Sequence, residues 1–319
     1  MRKRYVIAIV VLAALRFAPS PLAQRAAPGA DQTLVGSWTL SGVQRPSADG
    51  TPGQVPNPRG LLVFDGAGHV CEIATRAGRT QYAGAQSTPD EALTTFMEYG
   101  GLWGSYRADQ AEGRIAYMPE GAVNPNAMGR ELSRRFEISG DKLTITSLGE
   151  LTAPAGTRWT WTRVPNLEGL SEPYRRLIGF WREVSERTIA TGTGAVLSEV
   201  LRGPSVIAYT PSGFVCVHFL PGNRKPFAST TPTPQEAKAA VTGYTSYIAA
   251  LAVHPGFIFH HQLATLAPAP ASSLQRYYEF INNDSEVNYL FPPNTVGGQE
   301  RRTQVVLRRI SGAAEMMPR

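Results

Sequence analysis

Leu34-Val35-Gly36-Ser37-Trp38 returns later in the chain as Leu177-Ile178-Gly179-Phe180-Trp181. The repetition spreads outward from these two pentapeptides. Arg59-Gly60 is matched by Arg202-Gly203, and Gly68-His69-Val70-Cys71 by Gly213-Phe214-Val215-Cys216. Thr88-Pro89-Asp90-Glu91-Ala92 is matched by Thr233-Pro234-Gln235-Glu236-Ala237, and Arg163 by Arg309. The order is kept, and the spacing stays between 143 and 146 residues. A period this long is not that of a solenoid, so each copy is expected to be a complete domain. The two copies are placed at 34–164 and 177–310, with a linker at 165–176 and a tail at 311–319.

Within a copy the pattern is mostly strand. Arg158 to Arg163 alternates at period two, with Trp159 and Trp161 on one face, and Lys142 to Thr146 alternates after the turn Ser139-Gly140-Asp141. Leu61–Phe64 and His69–Ile73 read as a hairpin around Asp65-Gly66-Ala67-Gly68, repeated as Val206–Tyr209 and Phe214–Phe219 around Thr210-Pro211-Ser212-Gly213. One helix interrupts each copy. Thr88 and Thr233 are N-caps, Pro89 and Pro234 suit the first helical position, and Glu91 and Glu236 complete capping boxes. Many short strands with one helix predict a mainly β fold of two tandem antiparallel barrels, each with one short helix.

These landmarks resemble the bacterial lipocalin-like domain family, a calycin-type barrel. The resemblance rests on Gly36-x-Trp38 and Gly179-x-Trp181, the Arg-Gly strand, the turns ending at Gly68 and Gly213, and the Thr-Pro-x-Glu-Ala helices. The second copy carries more of the pattern, with Lys225-Pro226-Phe227-Ala228-Ser229, Gly243-Tyr244-x-x-Tyr247 and His260-His261. The resemblance implies that Trp38 and Trp181 close a barrel end, with Arg163 and Arg309 laid across them in structural roles. An eight-stranded barrel has an interior that side chains fill or that holds one small ligand.

Composition narrows the class. The chain has 319 residues and a formal charge of +6. Residues 1–23 hold Arg2, Lys3, Arg4 and Arg16 and no acid, so the rest is close to neutral, which excludes a strong nucleic-acid footprint. Tyr5 to Leu15 is an apolar run too short to span a bilayer, and with the basic residues before it reads as a signal peptide over 1–23. Residues 24–33 read as a disordered leader. The expected location is periplasmic or secreted, with no membrane span after signal removal. The oligomeric state is left open.

Chemistry-bearing residues concentrate in the second copy. Of five histidines, His260 and His261 are adjacent in an apparent strand and so point to opposite faces. His218 shares a face with Phe214 and Cys216; if that face is interior, His218 and one of the pair converge. The candidate ligand-binding set is His218, Phe227, Tyr244, Tyr247, His260 and His261. The first copy has Ala116, Tyr117 and Ile73 in place of those histidines, and is expected to support the fold. Its aromatics Tyr82, Phe96, Tyr99, Trp103 and Tyr106 are read either as core under the helix or as the lining of a barrel mouth. Cys71 and Cys216 occupy equivalent mid-strand positions, and buried free thiols are expected, because a bridge requires the two strands to meet.

No metal site or cofactor is expected. Gly192-Thr193-Gly194 lacks the third glycine of a dinucleotide fingerprint, and Ser139-x-x-Lys142 lies on a turn. No carboxylate pair stands out. The expected function is an exported two-barrel protein binding a small hydrophobic or amphipathic molecule. The alternatives are a cofactor-free barrel enzyme of isomerase, cyclase or hydratase type using Tyr and His in the second barrel, and an envelope interaction module with filled barrels.

Overall fold

The computed structural model describes residues 31–47, 51–151, 153–200 and 202–312. The expected signal peptide and most of the leader and tail lie outside them. The first copy contains β1 (Gly36–Arg45), β2 (Gly53–Gln54), β3 (Pro58–Phe64), β4 (His69–Arg76), α1 (Pro89–Glu98), β5 (Gly100–Asp109), β6 (Arg114–Ala122), β7 (Leu132–Ser139), β8 (Lys142–Ser147) and β9 (Arg158–Val164). The helix α2 (Glu172–Leu177) follows. The second copy contains β10 (Gly179–Ala190), β11 (Val196–Val200), β12 (Arg202–Tyr209), β13 (Phe214–Pro221) and α3 (Pro234–Val241). It continues with β14 (Thr245–His254), β15 (Phe257–Thr265), β16 (Ser273–Ile281), β17 (Glu286–Leu290), β18 (Asn294–Val296) and β19 (Gln299–Arg309).

Both copies close. In the first, β1-β3-β4-β5-β6-β7-β8-β9 is an antiparallel circuit sealed by β1 against β9, with β2 appended to β1. In the second, β10-β12-β13-β14-β15-β16-β17-β19 is sealed by β10 against β19, with β11 and β18 as outer strands. The mainly β class with two lipocalin-like barrels is therefore what the chain forms. Both capping boxes are present on α1 and α3. A third helix, α2, lies in residues read as linker. Its Tyr174 hydroxyl donates to the Thr210 carbonyl at 3.1 Å, and Leu177 is fully buried under the second barrel.

The recurring Gly-x-Trp has a physical basis. Trp38 Nε1 donates to the Leu34 carbonyl at 2.9 Å, and Trp181 Nε1 to the Leu177 carbonyl at 2.7 Å. The Arg163 guanidinium lies 4.0 Å from the Trp38 ring centroid, and Arg309 4.1 Å from that of Trp181. Gly36 and Gly179 have φ of +134° and +125°, which side-chain-bearing residues rarely adopt. A Cβ on either would also stand 3.1 or 3.0 Å from the arginine Nη1.

The barrels meet through the outer faces of equivalent strands. Leu61, Val63 and Trp103 of β3–β5 share one apolar cluster with Val206, Ala208 and Ile248 of β12–β14. α1 packs against α3. At the centre Cys71 and Cys216 form a disulfide with Cα atoms 6.4 Å apart, which corrects the expectation of free thiols. In an approximately two-fold interface a residue near the axis meets its own equivalent. Equivalence of the two positions therefore favours the bridge.

Candidate functional site

Strand alternation divides β4 between two environments. Val70, Glu72 and Ala74 face the interior of the first barrel, while Cys71 and Ile73 face the second. On β7, Arg134 stands between Leu132 and Phe136 on the same inward face. Arg134 Nη1 donates to Glu72 Oε2 at 2.9 Å, and its Nε to Glu150 Oε1 at 2.6 Å. The guanidinium is sandwiched, 4.8 Å from the Tyr117 ring centroid and 4.9 Å from that of Trp159. Burial holds the Glu72 carboxyl above its usual range, against the pull of Arg134. Burial also works against the Arg134 charge, but Glu72 and Glu150 outweigh it and keep the group cationic.

This triad lies beneath a cavity of about 350 Å³ in the mouth of the first barrel. Its lining joins Glu72, Arg134 and Trp159 to the apolar Val43, Val55 and Leu102, the polar Arg45, Gln54 and Asn124, Phe96 and Glu98 of α1, and Tyr99 just after that helix. Burying ions costs free energy that a salt bridge returns only when well paired, and an apolar replacement of equal volume is often as stable. A paired, stacked guanidinium facing a cavity is an arrangement that a polar ligand group can use. A carboxyl whose pKa burial raises can also serve as a proton donor or acceptor.

The residues singled out in the second copy separate into three places. Tyr247 and His260 are inside the second barrel. Tyr247 Oη bonds His260 Nδ1 at 2.9 Å, Arg276 Nη2 donates to Tyr247 Oη at 2.9 Å, and Tyr289 donates to Tyr209, which lies 3.3 Å from His260 Nε2. Burial and the Arg276 charge keep His260 neutral. This network satisfies itself inside a packed interior. His218 faces out of the second barrel into the interface, not into its interior, so it does not converge with His260. Its Nδ1 is 2.7 Å from the Tyr244 hydroxyl and 3.1 Å from Ser246 Oγ, and burial lowers its pKa to about 3. Tyr99 of the first barrel bonds the same Ser246 at 2.8 Å. Phe227 packs edge-on against Phe96 of α1, with its backbone N–H donating to Asn126 Oδ1 at 2.6 Å. His261 is exposed and bonds Ser273.

The first copy, read as having dropped its titratable interior groups, thus carries buried ones: Glu72, Arg134 and Glu150. The signal for two of them was present. Glu72 alternates with Val70 and Ala74, and Arg134 with Leu132 and Phe136, so each is a charge on the apolar face of a strand. Glu150 follows a turn and offers no such pattern.

With this geometry the class is defined: a tandem pair of closed lipocalin-like β-barrels. Residues 35–164 match the model of the lipocalin-like domain family. The match falls on the first copy, although the second carries more of the motifs quoted above. No curated protein matches the chain. Among solved structures, a protein of unknown function from Nostoc punctiforme is 10% identical, covering 86% of this chain and 96% of that one, with a TM-score of 0.23. A transferrin binding protein B mutant from Haemophilus parasuis is 6% identical, covering 88% and 64%, with a TM-score of 0.22. Kievitone hydratase from Nectria haematococca is 9% identical, covering 92% and 95%, with a TM-score of 0.22. At these values none of them bears on function. Among the described residues no helix is long and apolar enough to cross a membrane.

Proposed function

We propose that the protein is exported and binds one small amphipathic molecule in the mouth of the first barrel, with its polar group on Glu72 and Arg134. The observation that supports this is the cavity of about 350 Å³, lined by apolar side chains, by the buried ion pair of Glu72 and Arg134, and by further polar groups. That volume is at the lower end of small-molecule sites. Export is supported by the character of residues 1–23 and by the disulfide, which persists in oxidising compartments. Protein purified from its own host and sprayed natively should carry a bound small molecule, and Trp159→Ala should lose it. Recovery of ligand-free protein with the fold intact, or ligand retained by Trp159→Ala, would count against this reading.

The raised pKa of Glu72 favours a second reading, a cofactor-free enzyme in which Glu72, rather than the tyrosines and histidines of the second barrel, moves the proton. Glu72→Gln would then keep the ligand and abolish its conversion. Equal conversion by both proteins excludes it.

A further inference from the structure

Outside the first barrel, a groove of about 240 Å³ runs between the barrels, from the end of β4 to the end of β15. Three guanidiniums line it: Arg59, Arg76 and Arg79. Among the described residues no acidic side chain is in its lining. Glu98, in the lining of the first barrel's cavity, accepts from Arg76 Nη2 at 2.5 Å. Three cations against one anion leave an excess of two positive charges.

Part of this cationic set does structural work. Arg59 Nη1 donates to the Leu263 carbonyl at 3.2 Å, and Arg79 Nη2 to the carbonyls of Thr265 and Leu266, so both tie the first barrel to β15 of the second. Carbonyl dipoles do not neutralise a guanidinium. Arg79 Nη1 is buried and has no hydrogen-bond acceptor among the described residues. A buried charged donor left without an acceptor is costly, and convergent like charges repel. Burial weakens the charged form of Arg79. A clip made only to hold the barrels together needs neither the charge nor the donors left over on Arg59 and Arg79, and a guanidinium's planar fork is suited to an oxyanion.

We propose that this inter-barrel groove is an oxyanion site, in which Arg59, Arg76 and Arg79 hold the phosphate, sulfate or carboxylate of a small molecule. Gln262 and Thr75 in the same lining complete a polar surround. Thr75 and Arg76 also line the cavity of the first barrel, so the two spaces adjoin. The oxyanion has two sources that share this chemistry: a free ion, or the headgroup of a molecule whose apolar part occupies the barrel. The groove lies outside the barrel; its use by a free ion does not depend on the barrel being occupied, and its use by a headgroup rests on the barrel reading above.

Titration calorimetry on the full, disulfide-intact protein distinguishes the two sources, with inorganic phosphate, dodecyl phosphate, dodecanol and dodecyltrimethylammonium as probes. At least one of the phosphates should bind, more weakly at high salt, and Arg59→Gln should weaken it about tenfold or more. Arg59 is exposed and its loss leaves the fold intact, as circular dichroism should confirm. Arg79→Gln is the stronger change, and Arg79→Lys, which keeps the charge, should restore part of the affinity. Phosphate binding alone assigns a free oxyanion. Binding of dodecyl phosphate only, with Arg59 still required, assigns a headgroup. If neither phosphate binds, or binding ignores Arg59→Gln, or dodecyltrimethylammonium binds as tightly, the groove is not an oxyanion site. Dodecanol reports on the barrel separately: its failure to bind sinks the barrel reading and leaves the groove standing.

Discussion

Arg134 is the residue on which the first barrel's interior turns. Its charge is matched by Glu72 and Glu150, and removing it leaves two carboxyls buried without a cation. Arg134→Met should cost about 3–5 kcal/mol at neutral pH. The sign of its pH dependence follows from the carboxyls. Without the guanidinium, Glu72, already raised by burial, keeps a proton in the folded state that the unfolded chain releases above the ordinary value near 4.5. The penalty should therefore shrink as pH falls toward that value, measured as the difference from wild type in urea midpoints at each pH. A penalty that is flat with pH would mean the carboxyls are not the cause. His218 behaves oppositely. It is neutral when folded, with a pKa of about 3 against an ordinary 6.5, so the unfolded chain takes up its proton first. Its share of stability is complete above pH 6.5 and is lost as pH falls, at about 1.4 kcal/mol per pH unit. His218→Gln, which keeps a hydrogen-bond partner for Tyr244, should make the acid limb shallower by about one proton. An unchanged slope would show that His218 charges in place.

At the scale of elements, alternation was legible and its phase was not. β4 and β13 are buried on both faces, one toward a barrel interior and the other toward the interface. Period two separates the faces but does not say which is inside, and that is why the sequence leaves open whether His218 faces the barrel interior. β7 is different, because its outward residues Arg135 and Glu137 are exposed, so its inward set, Arg134 included, could be read. Helices α1 and α3 were legible because capping chemistry is local. The β5–β6 pairing illustrates a constraint that local chemistry does not reveal. At the register shift after Trp103, a Cβ on Gly104 would stand 2.1 Å from the Met118 carbonyl oxygen. Gly104→Ala must displace the β6 backbone and should cost more than about 3 kcal/mol. Gly42→Ala, at another register shift but 3.6 Å from Thr160 Cβ, should cost less than about 1 kcal/mol. Thermal melts of the two variants check the contrast, which equal losses would refute.

The whole molecule is organised by its repeat, and the repeat was the strongest signal in the sequence. What it did not disclose is how the copies dock, because an interface made from the outer faces of barrel strands looks the same in sequence as a barrel interior. The apolar cluster between the barrels and the bridge through it make one unit of two barrels. The bridge closes a long loop, its cysteines 145 positions apart in sequence, and on chain entropy alone would contribute about 4–5 kcal/mol. The apolar interface does not need it to remain closed. Cys71→Ser with Cys216→Ser should therefore lower stability by several kcal/mol while the barrels stay docked. Docking can be read directly by placing a protease site in the exposed stretch at Glu168 and Gly169, cutting the double variant there, and passing it over a sizing column. The two halves should elute together at the volume of the uncut protein, held by Leu61, Val63, Trp103 and their partners. Separate elution would mean that the disulfide alone joins the barrels, and that the cluster between them is too weak to hold the groove of Arg59 and Arg79 in place.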